Sequence, residues 1–172
     1  MVAGIPRSNV STDKDEWQTP PELFKVLDER YHIDLDVACT PENCLSRNHY
    51  GFTREENALT HDWNRFLMDN GEDASVFYMN PPYGRGIIKE FVRKAYLETR
   101  RCGIAVCLLP FVGSGWFKDY CLHAEEIQII GRVKYIGKDL EGNAIRNSPT
   151  FDSCIVIFTP GYHEVKLSAF RW

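Results

Sequence analysis

The chain has 172 residues, enough for one hydrophobic core, and reads as one domain. With 44% apolar and 26% charged residues it has the balance of a soluble globular protein, and no run approaches the 18 apolar residues of a membrane span. The net charge of −4 argues against nucleic-acid binding by bulk charge, although a local basic stripe would suffice for an enzyme that touches DNA transiently.

Residues 1–15 are polar and lack periodicity, so they are expected to form a mobile N-terminal segment ahead of a single domain over 16–172. The first residues lack the charged and apolar regions of a signal peptide, which points to a cytoplasmic protein. The six cysteines (39, 44, 102, 107, 121, 154) lie mostly in apolar segments and read as buried thiols, not as a disulfide framework. Cys39, Cys44 and His49 match no ordinary zinc spacing, so no metal is expected.

Thr19-Pro20-Pro21-Glu22 has the pattern of a capping box with proline at the first helical position. The helix it opens runs to about Arg30, with Leu23, Phe24, Val26 and Leu27 on its buried side. Residues 33–38 form a strand in which acids alternate with apolar residues. Residues 40–75 are polar and turn-rich, and 57–63 end a short strand or helix. The apolar run 75–79 is a short buried strand.

Asn80-Pro81-Pro82-Tyr83 follows that strand. Two prolines cannot continue a ladder, and each fixes φ near −65°, so the segment is a stiff platform at the carboxyl edge of a sheet. It presents an amide, a backbone carbonyl held by stiff neighbours, and an aromatic face. The Asn80 side-chain oxygen and the Pro81 carbonyl can each accept one N–H from an amino group on a planar ring. Accepting both pulls the nitrogen out of conjugation and frees its lone pair. Tyr83 can stack on the ring, a contact worth roughly 1–3 kcal/mol per base.

Beyond the motif, residues 86–100 form an amphipathic helix, with Ile87, Ile88, Phe91, Val92 and Ala95 at helical spacing. Arg85, Lys89, Arg93, Lys94, Arg100 and Arg101 give it a basic outer surface suited to phosphate, or to plain solvation. Residues 103–110 fit a central parallel strand, a short helix spans Trp116 to Leu122, and two more strands cover 127–130 and 153–158. This order predicts an α/β fold: a doubly wound, mostly parallel, Rossmann-like sheet with an antiparallel final strand pair. Between the last two strands, residues 132–151 mix Arg132, Lys134, Arg146 and amides with Phe151. They are a candidate DNA-recognition loop, with an ordinary exposed hairpin as the bland alternative.

Three stretches in order, 17–21 (Trp-Gln-Thr-Pro-Pro), 34–39 (Asp-Leu-Asp-Val-Ala-Cys) and Asn80 to Tyr83, resemble the small DNA N6-adenine methyltransferases of phages and prophages. The resemblance covers about residues 15–160. It implies S-adenosylmethionine (SAM) as cofactor and double-stranded DNA as substrate, with no membrane and no evident obligate protein partner. It implies that Asn80, Pro81, Pro82 and Tyr83 form the catalytic motif. Trp17, Thr19 and Pro20 would lie near the methionine end of SAM, Asp36 and Ala38 in its first binding motif, and Asp62 near its adenine. Arg85, Lys89, Arg132, Lys134 and Arg146 would meet DNA, and Phe151 would close on the second face of the target base. Thr40-Pro41-Glu42-Asn43 replaces the glycine-rich loop of the wider methyltransferase class. Two alternatives stay open: methylation of another amino group (cytosine N4, an RNA base or protein glutamine), and a non-catalytic DNA-binding module on the same scaffold.

Overall fold

A computed structural model describes residues 17–39, 43–46, 57–71, 75–84, 86–138 and 143–172. The expectation for residues 1–15 therefore lies outside the described residues. Helix α1 (Pro21–Tyr31) leads into strand β1 (Leu35–Asp36), then α2 (Trp63–Asp69), β2 (Val76–Met79), α3 (Ile87–Glu98), β3 (Ile104–Pro110) and α4 (Gly115–Tyr120). A 3-10 turn (Cys121–His123) precedes β4 (Glu126–Gly131), β5 (Tyr135–Lys138), β6 (Ala144–Asn147), β7 (Ser153–Phe158) and β8 (Lys166–Ala169).

Six strands form one sheet in the order β1-β2-β3-β7-β4-β8, and β5 and β6 form a separate antiparallel pair. The pairs β1–β2, β2–β3 and β4–β8 are parallel, whereas β7 runs antiparallel to both β3 and β4. The expected antiparallel pairing of the last two long strands is present, but β7 inserts between β3 and β4 instead of ending the sheet. A further parallel edge strand, β8, lies beyond β4 and is not announced by the sequence pattern. Its exposed, weakly apolar residues carry little of the alternation that marks a strand.

Alternation along β2 sends Phe77 and Met79 to one core and Val76 and Tyr78 to the other. The first core packs Trp63 and Leu67 of α2, Val92 and Ala95 of α3 and Phe117 of α4 against the sheet. The second packs Leu23, Phe24 and Leu27 of α1, with Val133 and Tyr135, on the opposite face. Both faces are covered, which is why β2 and β7 read as unbroken apolar runs. No helix among the described residues is long and apolar enough to cross a membrane.

Two local expectations need correction. Thr19 does not close a capping box: the cap position is Pro20, without a side-chain cap bond. The Thr19 hydroxyl instead meets the buried Tyr78 hydroxyl at 2.6 Å, because a phenol oxygen inside the core needs a partner more than a helix start open to solvent does. Glu22, the other half of the expected box, pairs with Arg146 at 2.7 Å. The basic surface of α3 is also smaller than expected. Lys94 is mostly covered and pairs with Glu98, and Arg100 lies over the Tyr162 ring and donates to the Gly161 carbonyl at 2.8 Å.

Candidate active site

The parallel strands end at one edge of the sheet, and the chemistry-bearing residues collect there. Asp36 closes β1 and pairs in register with Tyr78, two residues before Asn80. Pro110 closes β3 opposite Ser153, the first residue of β7, and Gly131 closes β4 opposite the same serine across a bulge. The β5–β6 hairpin rises from that edge. It is tied to the start of the domain by two backbone bonds between Gln18 and Ile136, of 2.8 and 3.0 Å.

Asn80 sits in the middle of this arrangement, half-buried. Its Nδ2 donates to the Trp17 carbonyl at 2.9 Å, and its Oδ1 accepts from the Tyr83 hydroxyl at 2.9 Å. A carbonyl can only accept, so the Trp17 contact fixes which end of the carboxamide is nitrogen. Among the described residues, one lone pair of Oδ1 is then taken by Tyr83 and one remains. Pro81 is buried and Pro82 half-buried, as a rigid platform beside a core requires.

Tyr83 makes more polar contacts than its expected stacking role requires. Its hydroxyl lies 3.0 Å from the Tyr135 hydroxyl and 3.3 Å from the Leu108 carbonyl, and Tyr135 in turn lies 2.9 Å from Ser153 Oγ. Burial raises the Tyr83 and Tyr78 hydroxyls well above the usual phenol range and pushes Tyr135 up to about 12, so all three stay neutral donors. Around them stands an aromatic wall. Trp17 stacks on Tyr135 at 5.5 Å between centroids, and Phe151 lies 6.2 Å from Trp17 and 6.0 Å from Tyr83. Trp17 and Phe151, expected in separate cofactor and substrate roles, thus share one cluster with Tyr83.

Asp36 is 4% exposed. Its carboxyl accepts from the backbone N–H groups of Ala38 and Leu45 at 3.3 and 3.4 Å, both long, which among the described residues leaves acceptor capacity over. Burial, with a smaller contribution from the Cys44 thiol, pushes its pKa up to about 7. The ligand atoms of Asp36, Cys39 and Cys44 lie within 4.8 Å of one another, a proximity that sequence spacing does not reveal. These are three donors among the described residues, and His49, weighed with the two cysteines in the sequence, lies outside the described residues. Hydrogen bonding to Cys44 and burial hold the Cys39 thiol strongly protonated.

The remaining candidates are spread more widely. Asp62 is exposed and caps α2, accepting from Arg65 N at 2.8 Å. Lys89 is exposed on α3, and Arg85 lies outside the described residues. Residues 132–136 alternate between outside and inside: Arg132 and Lys134 are exposed, while Val133 and Tyr135 are buried. The stretch read as a recognition loop is therefore half core. Arg146 is engaged by Glu22 through its two terminal guanidinium nitrogens, at 2.7 and 3.3 Å. Sequence reasoning took Tyr135 only as part of the candidate recognition loop and missed Ser153 as a site residue. The alternation over 132–136 was the available signal for the first; a serine opening an apolar strand was only a faint one for the second.

A family model described as DNA N-6-adenine-methyltransferase (Dam) matches residues 7–169, nearly the whole chain. The chain belongs to this family. Among curated relatives, the DNA N-6-adenine-methyltransferase of Escherichia phage T1 is 33% identical over 137 residues, which is 78% of this chain and 52% of the relative. The protein of the same description from Haemophilus phage HP1 (strain HP1c1) is 28% identical over 156 residues, 87% of this chain and 81% of the relative. The chain thus spans about half the length of the T1 protein and about four fifths of the HP1 protein. Membership carries the family's match across both the Asp36 and the Asn80 segments of the site.

Proposed function

We propose that the chain transfers a methyl group from SAM to the N6 amino group of adenine in DNA, on a Rossmann-like methyltransferase scaffold and in the cytoplasm of a bacterial host. The observation that carries the reading is the Asn80 carboxamide. It is clamped by Trp17 and Tyr83 at a sheet edge, with an acceptor lone pair to spare and a buried acid on the neighbouring strand. Both named relatives are described as DNA N-6-adenine methyltransferases, which supports the choice of substrate.

The donor chemistry of the site fits SAM. The cofactor's ammonium and ribose hydroxyls are hydrogen-bond donors, and Asp36 has acceptor capacity left where the strand ends. Asp36, with the backbone at Ala38, would hold that end, and the Trp17 to Pro20 segment would lie beside the methionine end. Bound SAM supplies an activated methyl on a sulfonium, so no nucleophilic side chain is needed. The protein's part is positioning.

The target amine is inaccessible inside a duplex, so the base must be turned out of the stack. Trp17 and Phe151, with the Tyr83 face, form an aromatic surface for it. The free lone pair of Asn80 Oδ1 and the Pro81 carbonyl accept its two N–H groups. That holds the nitrogen lone pair out of the ring plane, toward the methyl. After transfer, the surplus proton on the nitrogen is acidic enough to pass to water. Arg132, Lys134 and Lys89 are exposed cations available to phosphates, with Arg85 and Arg146 as further candidates.

Asn80→Ala tests the reading. Tritiated-methyl transfer to DNA should be lost, while calorimetry still detects SAM binding. Undiminished transfer by the variant would refute the assignment.

A further inference from the structure

The hydroxyl groups beneath Asn80 form a line that the proposed reaction does not by itself require. Ser153 Oγ, Tyr135 OH and Tyr83 OH are spaced 2.9 and 3.0 Å apart and end on Asn80 Oδ1 at 2.9 Å. Each hydroxyl has one proton. When Tyr83 gives its proton to Asn80, its oxygen is left to accept, and Tyr135 is the hydroxyl placed to donate to it. Tyr135 then accepts from Ser153. A single direction of donation, from β7 through β5 to the carboxamide, satisfies every member.

Tyr83 has a competing acceptor, the Leu108 carbonyl at 3.3 Å. Which acceptor it chooses decides whether the Asn80 oxygen is held or free to turn. Donation from Tyr135 fixes the Tyr83 oxygen on the Asn80 side. Tyr135 and Ser153 are fully buried, so water cannot take over their roles. The Tyr135 ring is itself pinned, stacked on Trp17 and carried by the strand that bridges to Gln18. Trp17 also supplies the carbonyl that holds Asn80 Nδ2. Both ends of the carboxamide are thus set by one connected unit.

We propose that Tyr135 and Ser153 are positioning residues that orient the Asn80 acceptor through Tyr83. The inference rests on the reading of Asn80 as the group that grips the target amine. It assigns to the hairpin strand β5 an inward role in the reaction, separate from any outward contact with DNA.

Steady-state methyl transfer by Tyr135→Phe, Ser153→Ala, Tyr83→Phe and the Tyr83→Phe/Tyr135→Phe double variant tests it, with thermal melts alongside. Loss of one hydrogen bond from the line should lower kcat about fivefold to tenfold. KM for SAM should stay at the parent value, because Asp36 lies on a different strand. The double variant should be no slower than Tyr83→Phe alone, since both changes act through the same oxygen. A general structural role would instead give multiplying losses and a shifted KM. If Tyr135→Phe melts too low to assay, Ser153→Ala reads the same line from its far end. Parent-level kcat in folded Ser153→Ala or Tyr135→Phe, or multiplying losses in the double variant, overturns the proposal. Full activity in Asn80→Ala is a different failure, because it removes the acceptor reading itself.

Discussion

Asp36 should make SAM binding depend on pH in a way that its asparagine variant does not. The side chain is 4% exposed and, among the described residues, receives two long backbone hydrogen bonds, so burial dominates and the pKa stands at about 7, against an ordinary value of 3.8. The folded protein therefore keeps this proton over a range in which the unfolded chain has released it. Asp36 contributes its stabilisation fully below about pH 4, and that contribution is lost as pH rises through about 7, by at most about 4 kcal/mol for a pKa raised this far. Without ligand, the melting temperature should fall across that window, and Asp36→Asn should flatten the slope. The donors of SAM need the carboxylate, so binding must expel the proton. Affinity should drop about tenfold per pH unit below about 7 and level off above it. Calorimetry at about pH 6 and about pH 8, in two buffers with different ionisation heats, measures both the affinity and the released proton. Equal affinity at the two pH values in the parent, or the same pH dependence in Asp36→Asn, would refute this assignment of the acid.

Thr19→Val leaves the buried Tyr78 hydroxyl without its 2.6 Å partner and should cost about 1–3 kcal/mol in urea denaturation. Gly103→Ala should destabilise by a similar or larger amount, about 1–3 kcal/mol. Gly103 has φ +81°, and a Cβ there would lie 2.8 Å from the Ser75 carbonyl oxygen, where β3 first meets β2. Reversing Arg132 or Lys134 to Glu should weaken DNA binding at low salt and lower the salt slope by about one for each phosphate no longer neutralised. Filter binding across a salt series would show no change if these exposed cations face solvent only. Glu22→Gln should strengthen DNA binding by releasing Arg146 from its pair; unchanged affinity would place Arg146 away from the duplex.

The fold was most legible where one element obeys one rule. Unbroken apolar runs gave β2, β3 and β7, and helical spacing gave α1 and α3 to within two residues of their observed limits. It was least legible where partners are distant in sequence. Thr19 had a good local reason to cap a helix, and its hydroxyl went instead to Tyr78, 59 residues away, a partner that no local pattern assigns to it. Arg146 reads as a free cation until α1 brings Glu22 beside it across 124 residues. Asp36 could be named from its motif, yet its raised pKa depends on burial and, less, on the Cys44 thiol, neither of which spacing describes.

The hairpin is the most instructive case, because its composition supports two incompatible readings. Basic and aromatic residues interleaved over 132–151 look like a surface for nucleic acid, and as a set they suggest a loop. The alternation of burial separates them by face: Arg132 and Lys134 point outward, while Val133 and Tyr135 enter the core under Asn80. Tyr135 opens β5 and Arg132 to Lys134 precede it, so the alternation begins in the connection from β4 and runs into the strand. The pair β5–β6 forms a sheet of its own, and its bridge from Ile136 to Gln18 holds Tyr135 within reach of Tyr83, whose hydroxyl donates to Asn80.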